Sequence, residues 1–113
     1  MTYENISPSE AKSRMDADPE AVIVDVRRPD EFVTGHIPGA LNVPLADIQD
    51  GNIPPCLADK NAVYLIYCRS GVRSVTAAVA LEKMGYTHLA NFGGILDWPY
   101  DCLLYTSDAA DEL

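Results

Sequence analysis

The stretch that most constrains the fold is AVYLIYCRSGVRS, from Ala62 to Ser74, because an apolar β-branched and aromatic run ends there directly on a cysteine. Ala62 to Tyr67 shows no polar alternation, so it reads as a strand covered on both faces, the situation of a parallel sheet. After the loop, Ser74 to Met84 sets Val75, Ala78, Val79 and Leu81 at helical spacing before a stop at Gly85. Strand, tight loop and helix in that order predict an α/β fold. Ligands of open α/β sheets bind beyond the carboxyl ends of the strands, and Cys68 stands at that end.

The same alternation runs through the rest of the chain. Ser7-Pro8-Ser9-Glu10 is a capping-box pattern that predicts a helix from Pro8 to Asp16, closed by Asp18-Pro19. Ala21 to Val26, AVIVDV, reads as a second buried strand. Pro29 to Thr34 reads as a short helix ended by Gly35, followed by a Pro- and Gly-rich segment around a brief strand, Ala40 to Val43. A helical piece at Leu45 to Gln49, a Pro54-Pro55 break, a last strand at His88 to Phe92, a Gly93-Gly94 turn and a helical turn at Ile95 to Trp98 complete the pattern. With 113 residues there is room for one core, placed within residues 1–100. Residues 101–113 read as a disordered or non-native tail, since Tyr105 to Leu113 is small, acidic and aperiodic.

Charge excludes one class of partner. Eight Lys and Arg against 17 Asp and Glu give a formal net charge of −9, which repels phosphate backbones and argues against nucleic acid. The N-terminus carries no basic stretch leading into an apolar run, and no run approaches the roughly 18 apolar residues of a membrane span, so a cytoplasmic protein without membrane contact is expected. The final Asp-Glu-Leu lacks the Lys of a retention signal. Cys56, Cys68 and Cys102 are odd in number and widely spaced, against a disulfide framework and against a metal site.

The chemistry converges on Cys68 to Arg73, CRSGVR. Gly71 permits the positive φ that a tight curl demands, and successive amides in such a curl point at one anion. The following helix start and the charges of Arg69 and Arg73 also favour thiolate over thiol. A free cysteine with a pKa of about 8.5 is only about 3% ionised near neutral pH, and a fall of about two units, roughly 2.7 kcal/mol, makes it mostly thiolate. This reading requires amides turned toward the sulfur and a side chain that solvent can reach.

Taken together, IVDVRRPDEFVTGHIPGALNVPL, YCRSGVRS and NFGGILDW resemble the signatures of the rhodanese family, from about Tyr3 to Trp98. The resemblance implies a three-layer αβα fold with a central, mainly parallel five-stranded sheet. It implies a sulfurtransferase in which Cys68 is the nucleophile and becomes a persulfide. Arg69, Ser70, Gly71, Val72 and Arg73 would form the anion cradle, with Asp25, Arg27 and Glu31 in support and His36 to Ala40 as a neighbouring turn. The partners implied are a small anionic sulfur donor, thiosulfate or a persulfide, and a thiol, cyanide or protein acceptor, with no cofactor and a monomer or weak dimer. Ser70 stands where some thiosulfate-specific members carry a second basic residue. Members commonly continue past the Trp with a short helix and a Gly-Pro ending that Pro99 to Leu113 does not show, so a truncated or non-native C-terminus is expected.

Rival readings are separable. A cysteine phosphatase or arsenate reductase uses a Cys-x5-Arg loop preceded by His, whereas four residues separate Cys68 from Arg73 here and Tyr67 precedes the cysteine. A non-catalytic binding module of this fold would lack the nucleophile, and Cys68 is present. A cysteine protease would need His36 or His88 beside the thiol; His36 lies between Gly35 and Gly39 and reads as a local hydrogen-bonding residue, and His88 as structural. Cys56, Cys102 and the histidines have no zinc-ligand spacing. Cys56 reads as an ordinary exposed cysteine and Trp98 as core.

Overall fold

The computed structural model describes residues 3–100, so the tail from 101 to 113, including Cys102, lies outside the described residues. Five strands, β1 (Tyr3–Asn5), β2 (Val22–Asp25), β3 (Leu41–Asn42), β4 (Val63–Cys68) and β5 (His88–Gly94), form one sheet in the order β1-β5-β4-β2-β3, and every pairing is parallel. The α-helices are α1 (Pro8–Ala17), α2 (Pro29–Phe32), α3 (Leu45–Gln49) and α4 (Val72–Lys83), with short 3-10 turns at Pro55–Leu57 and Ile95–Asp97.

Strand β4 is central because its side chains are apolar in both directions. Successive residues of a strand point to opposite faces. Tyr64, Ile66 and Cys68 therefore join one core with Ala77, Ala78 and Leu81 of α4 and Ile48 of α3. Leu65 and Tyr67 join the other, with Ala11 of α1, Ile37, Phe92 and Trp98. Cys68 is thus delivered beneath the first turn of α4.

Helix α1 begins as its sequence dictates: the Ser7 hydroxyl accepts from the Glu10 amide at 3.1 Å, with Pro8 in the first turn. The edge strand Tyr3–Asn5 has no signal of its own in the sequence, since three residues carry no measurable periodicity; it exists because it pairs with Leu89, Ala90 and Asn91. Gly93-Gly94 is not a free turn. Both residues extend β5, where Ile66 faces Asn91 but Cys68 faces Gly94, so β5 carries an extra residue opposite the end of β4. Gly93 supplies the positive φ of 96° at that bulge.

Candidate active site

The loop after β4 curls back on its own cysteine. Gly71 takes a φ of 102°, which only glycine adopts cheaply, and its amide then donates to Cys68 Sγ at 2.9 Å. The amides of Ser70 and Ser74 also stabilise the sulfur, and Cys68 Sγ lies 3.6 Å from Ser74 Oγ. Burial pushes the thiol up and is the largest single influence. The Ser74 hydroxyl and the amides of Ser74, Gly71 and Ser70 together outweigh it, so the thiol lies below its ordinary value. Dipoles aimed inward favour the sulfur's anionic form.

The two loop arginines differ in their surroundings. Arg73 is clamped by Glu31 of α2, Nη1 to Oε1 at 2.7 Å and Nη2 to Oε2 at 2.9 Å. This contact draws the Glu31 carboxyl down to about 2 and compensates much of the Arg73 charge. Arg69 is exposed, and its carbonyl accepts from the Leu96 amide at 3.2 Å. Ser70 is exposed and Val72 is 72% exposed. The largest stabilising influences on the sulfur are the hydroxyl and the amides, ahead of the Arg73 charge, which also acts on it.

Cys68 itself is 1% exposed. Of the two conditions set by the sequence, amides face the sulfur, but the second is corrected: solvent does not reach the side chain of Cys68, while Arg69, Ser70 and Val72 around it are exposed, so a donor reaches the sulfur only past these residues. The cause is close backbone packing. A side chain on Gly94 would overlap the Arg69 carbonyl, and one on Gly71 would stand 3.3 Å from the Gly93 Cα. The two glycines let the end of β5 lie directly against the loop.

Two of the residues expected to support the loop, Asp25 and Arg27, form a buried ion pair at the end of β2. Arg27, 5% exposed, holds Asp25, 0% exposed, through Nε at 3.0 and 3.1 Å and Nη2 at 2.7 Å, and caps the Gly35 carbonyl at 2.7 Å. Asn42 ties the Asp25 and Arg27 carbonyls at 3.0 and 2.9 Å. The Tyr67 hydroxyl accepts from the Ile37 amide at 3.1 Å, which locks the residue before the cysteine to the His36–Ala40 turn. His36 is stacked on Phe32 with ring centroids 3.7 Å apart, and its Nδ1 lies 3.0 Å from the Phe32 carbonyl. His88 is exposed beside Thr87, and Cys56 is a free, exposed thiol.

Ser74 and Asn91 fall outside the candidate set drawn from the sequence. The Ser74 hydroxyl donates to Asn91 Oδ1 at 2.6 Å. The available signal was a hydroxyl in the first turn of the helix after the cysteine, together with a paired glycine closing the neighbouring strand.

Residues 7–99 match the model of the rhodanese-like domain. The chain belongs to the rhodanese-like domain family. Among its relatives, the thiosulfate sulfurtransferase PspE of Escherichia coli is 39% identical over 74 residues, covering 66% of this chain and 70% of that protein. A sulfurtransferase of Allochromatium vinosum is 43% identical over 94 residues, covering 80% and 83%. Among solved structures, an E. coli rhodanese with anions superposes with a TM-score of 0.67 at 34% identity, over 74% of this chain and 98% of that one. A rhodanese-like domain protein from Staphylococcus aureus gives 0.73 at 32% identity over 87% and 93%. The five-stranded parallel sheet agrees with the fold expected of a rhodanese-like domain. Among the described residues, no helix is long and apolar enough to cross a membrane and no cluster of ligands for a metal occurs.

Proposed function

We propose that the chain is a sulfurtransferase whose Cys68 thiolate takes a sulfane sulfur from thiosulfate or a persulfide and passes it to a thiol, cyanide or protein acceptor. The observation that carries this reading is the loop amide of Gly71 on Cys68 Sγ at 2.9 Å, in a ring whose amides and Ser74 hydroxyl lower the thiol. The relatives named as sulfurtransferases point the same way.

In the first half-reaction the thiolate attacks the outer sulfur of thiosulfate, the S–S bond of the donor breaks, and sulfite leaves with the bonding pair. Cys68 then carries the terminal sulfur as S–S⁻. In the second, the acceptor anion attacks that terminal sulfur and Cys68 leaves as thiolate, with no net redox change. Amides aimed at the sulfur stabilise the charge throughout without reorganising. The buried floor suits a slender terminal sulfur atom better than a tetrahedral phosphate, which disfavours the phosphatase and arsenate reductase reading. Arg69 at the exposed rim attracts the anionic donor. Val72 and Leu96, 72% and 62% exposed, give an acceptor apolar surface beside the mouth. The chain acts as a monomer or weak dimer in this reading and needs no cofactor.

The test is thiocyanate formation from thiosulfate and cyanide, run beside an aryl phosphate. Turnover that disappears in a folded Cys68→Ser variant supports the proposal. Phosphate release without thiocyanate, or turnover that survives in Cys68→Ser, overturns it.

A further inference from the structure

The Ser74 hydroxyl has one proton and faces more than one acceptor. Its Oγ lies 2.6 Å from Asn91 Oδ1, 3.4 Å from the Gly93 carbonyl and 3.6 Å from Cys68 Sγ. The orientation of the Asn91 amide follows from chemistry. The Gly93 backbone N–H approaches the Asn91 side chain at 3.1 Å and can only donate, so the atom it meets is the amide oxygen. The amide nitrogen points the other way and donates to Asn5 Oδ1 at 3.1 Å on β1. An amide oxygen accepts only, so the 2.6 Å contact consumes the Ser74 proton. Toward Cys68 the hydroxyl then offers lone pairs, which suit an S–H donor and oppose a bare thiolate.

We propose that Asn91 is a positioning residue that holds the Ser74 proton away from the sulfur while Cys68 is a thiol and yields it to the sulfur when Cys68 ionises. Asn91 is 7% exposed, so the bond is largely screened from water. The charged groups around the loop are Arg73 of α4 with its partner Glu31 of α2, the Asp25–Arg27 pair at the end of β2, and Arg69 of the loop itself. The hydrogen bonds of Asn91 go instead to Asn5, Ser74 and Gly93. The restraint therefore acts through a neutral hydroxyl and an amide.

The consequence for turnover rests on the sulfur-transfer reading; the proton competition does not. A thiolate that is less stabilised is a stronger nucleophile, with a Brønsted slope of about 0.4–0.5, but a poorer leaving group. Cys68 plays the first part with the donor and the second with the acceptor, and Asn91 sets the compromise between them.

The test is the pH profile of iodoacetamide alkylation at Cys68, in a protein with Cys56 and Cys102 changed to Ser. Asn91→Ala should lower the midpoint by about one unit, because the Ser74 proton is released to the thiolate. In a Ser74→Ala background the same change should leave the midpoint where Ser74→Ala alone puts it. An equal fall in that background, or a rise with Ser74 present, overturns the proposal. If Asn91→Ala does not fold, Asn91→Ser, whose hydroxyl is too short to reach Ser74, takes its place. With Asn91 unaltered, the carbon resonance of its side-chain carbonyl should titrate with the alkylation midpoint and cease to do so in Ser74→Ala. A resonance that does not move, or moves equally without Ser74, also overturns it. Absent sulfur transfer with these titrations intact counts only against the proposed function.

Discussion

Arg73 and Glu31, 42 positions apart in the chain, meet in a two-point ion pair at 2.7 and 2.9 Å that fastens α2 to the loop of Cys68. The pair has two consequences of opposite sense. It braces the loop, and it offsets the cation that stands nearest the sulfur along α4.

Glu31→Gln should therefore free the Arg73 charge to act on the sulfur, raising the rate of Cys68 alkylation near neutral pH about two- to threefold while loosening the loop. The carboxyl of Glu31 is lowered from 4.5 to about 2 in the folded chain by Arg73. A lowered carboxyl contributes stability that is fully present above its unfolded value and is lost as pH falls toward the folded one. The stability difference between the native chain and Glu31→Gln should be constant above pH 4.5 and vanish as pH approaches 2, the span set by those values. Its size should be about 1 kcal/mol or less, because both side chains are partly solvated. Urea unfolding as a function of pH measures it.

Gly94 admits no side chain, since a Cβ would overlap the Arg69 carbonyl and crowd Ser70. Its backbone is extended, with φ of −127°, so the requirement is space and not conformation. Gly94→Ala should push the loop off the strand, cost about 1–3 kcal/mol in urea unfolding, and abolish most sulfur transfer. Alanine at Gly51, where nothing lies within 4 Å, meets a positive φ of 80° but no atoms, so it should cost stability while leaving turnover unchanged.

Ser74→Ala removes the foremost stabilising influence on the thiolate. A hydrogen bond to a charged group contributes about 1.5–3 kcal/mol, less what the Ser74 proton gives up on leaving Asn91, so the pH midpoint of Cys68 alkylation should rise by about one unit. Circular dichroism should show the fold unchanged.

Asp25→Asn leaves Arg27 buried without its counter-charge. Breaking such a pair costs about 3–5 kcal/mol, and the loss should appear as a lowered denaturation midpoint with turnover falling in step with the folded fraction.

Much of this fold was legible because the signals are local and strong. The buried run before Cys68, the capping box at Ser7 and the helix piece Leu45–Gln49 lie where residue pattern alone places them. Edge strand β1 was not, because a three-residue strand is created by its partner and leaves no periodic trace. The site divides the same way. Cys68 and the curl at Gly71 follow from strand end and glycine, but partners 17 to 42 positions away do not follow from spacing. The family resemblance named Glu31 as a support but not its two-point pairing with Arg73, and reading Gly93-Gly94 as a turn missed a bulge pressed against the loop.

The central claim is that Cys68 receives a sulfur atom, and intact-mass spectrometry after thiosulfate treatment tests it most directly. A single adduct of about 32 Da, removed by cyanide and absent from Cys68→Ser, is expected. An unchanged mass in the folded native chain, or an equal adduct on the Cys68→Ser variant, would contradict it.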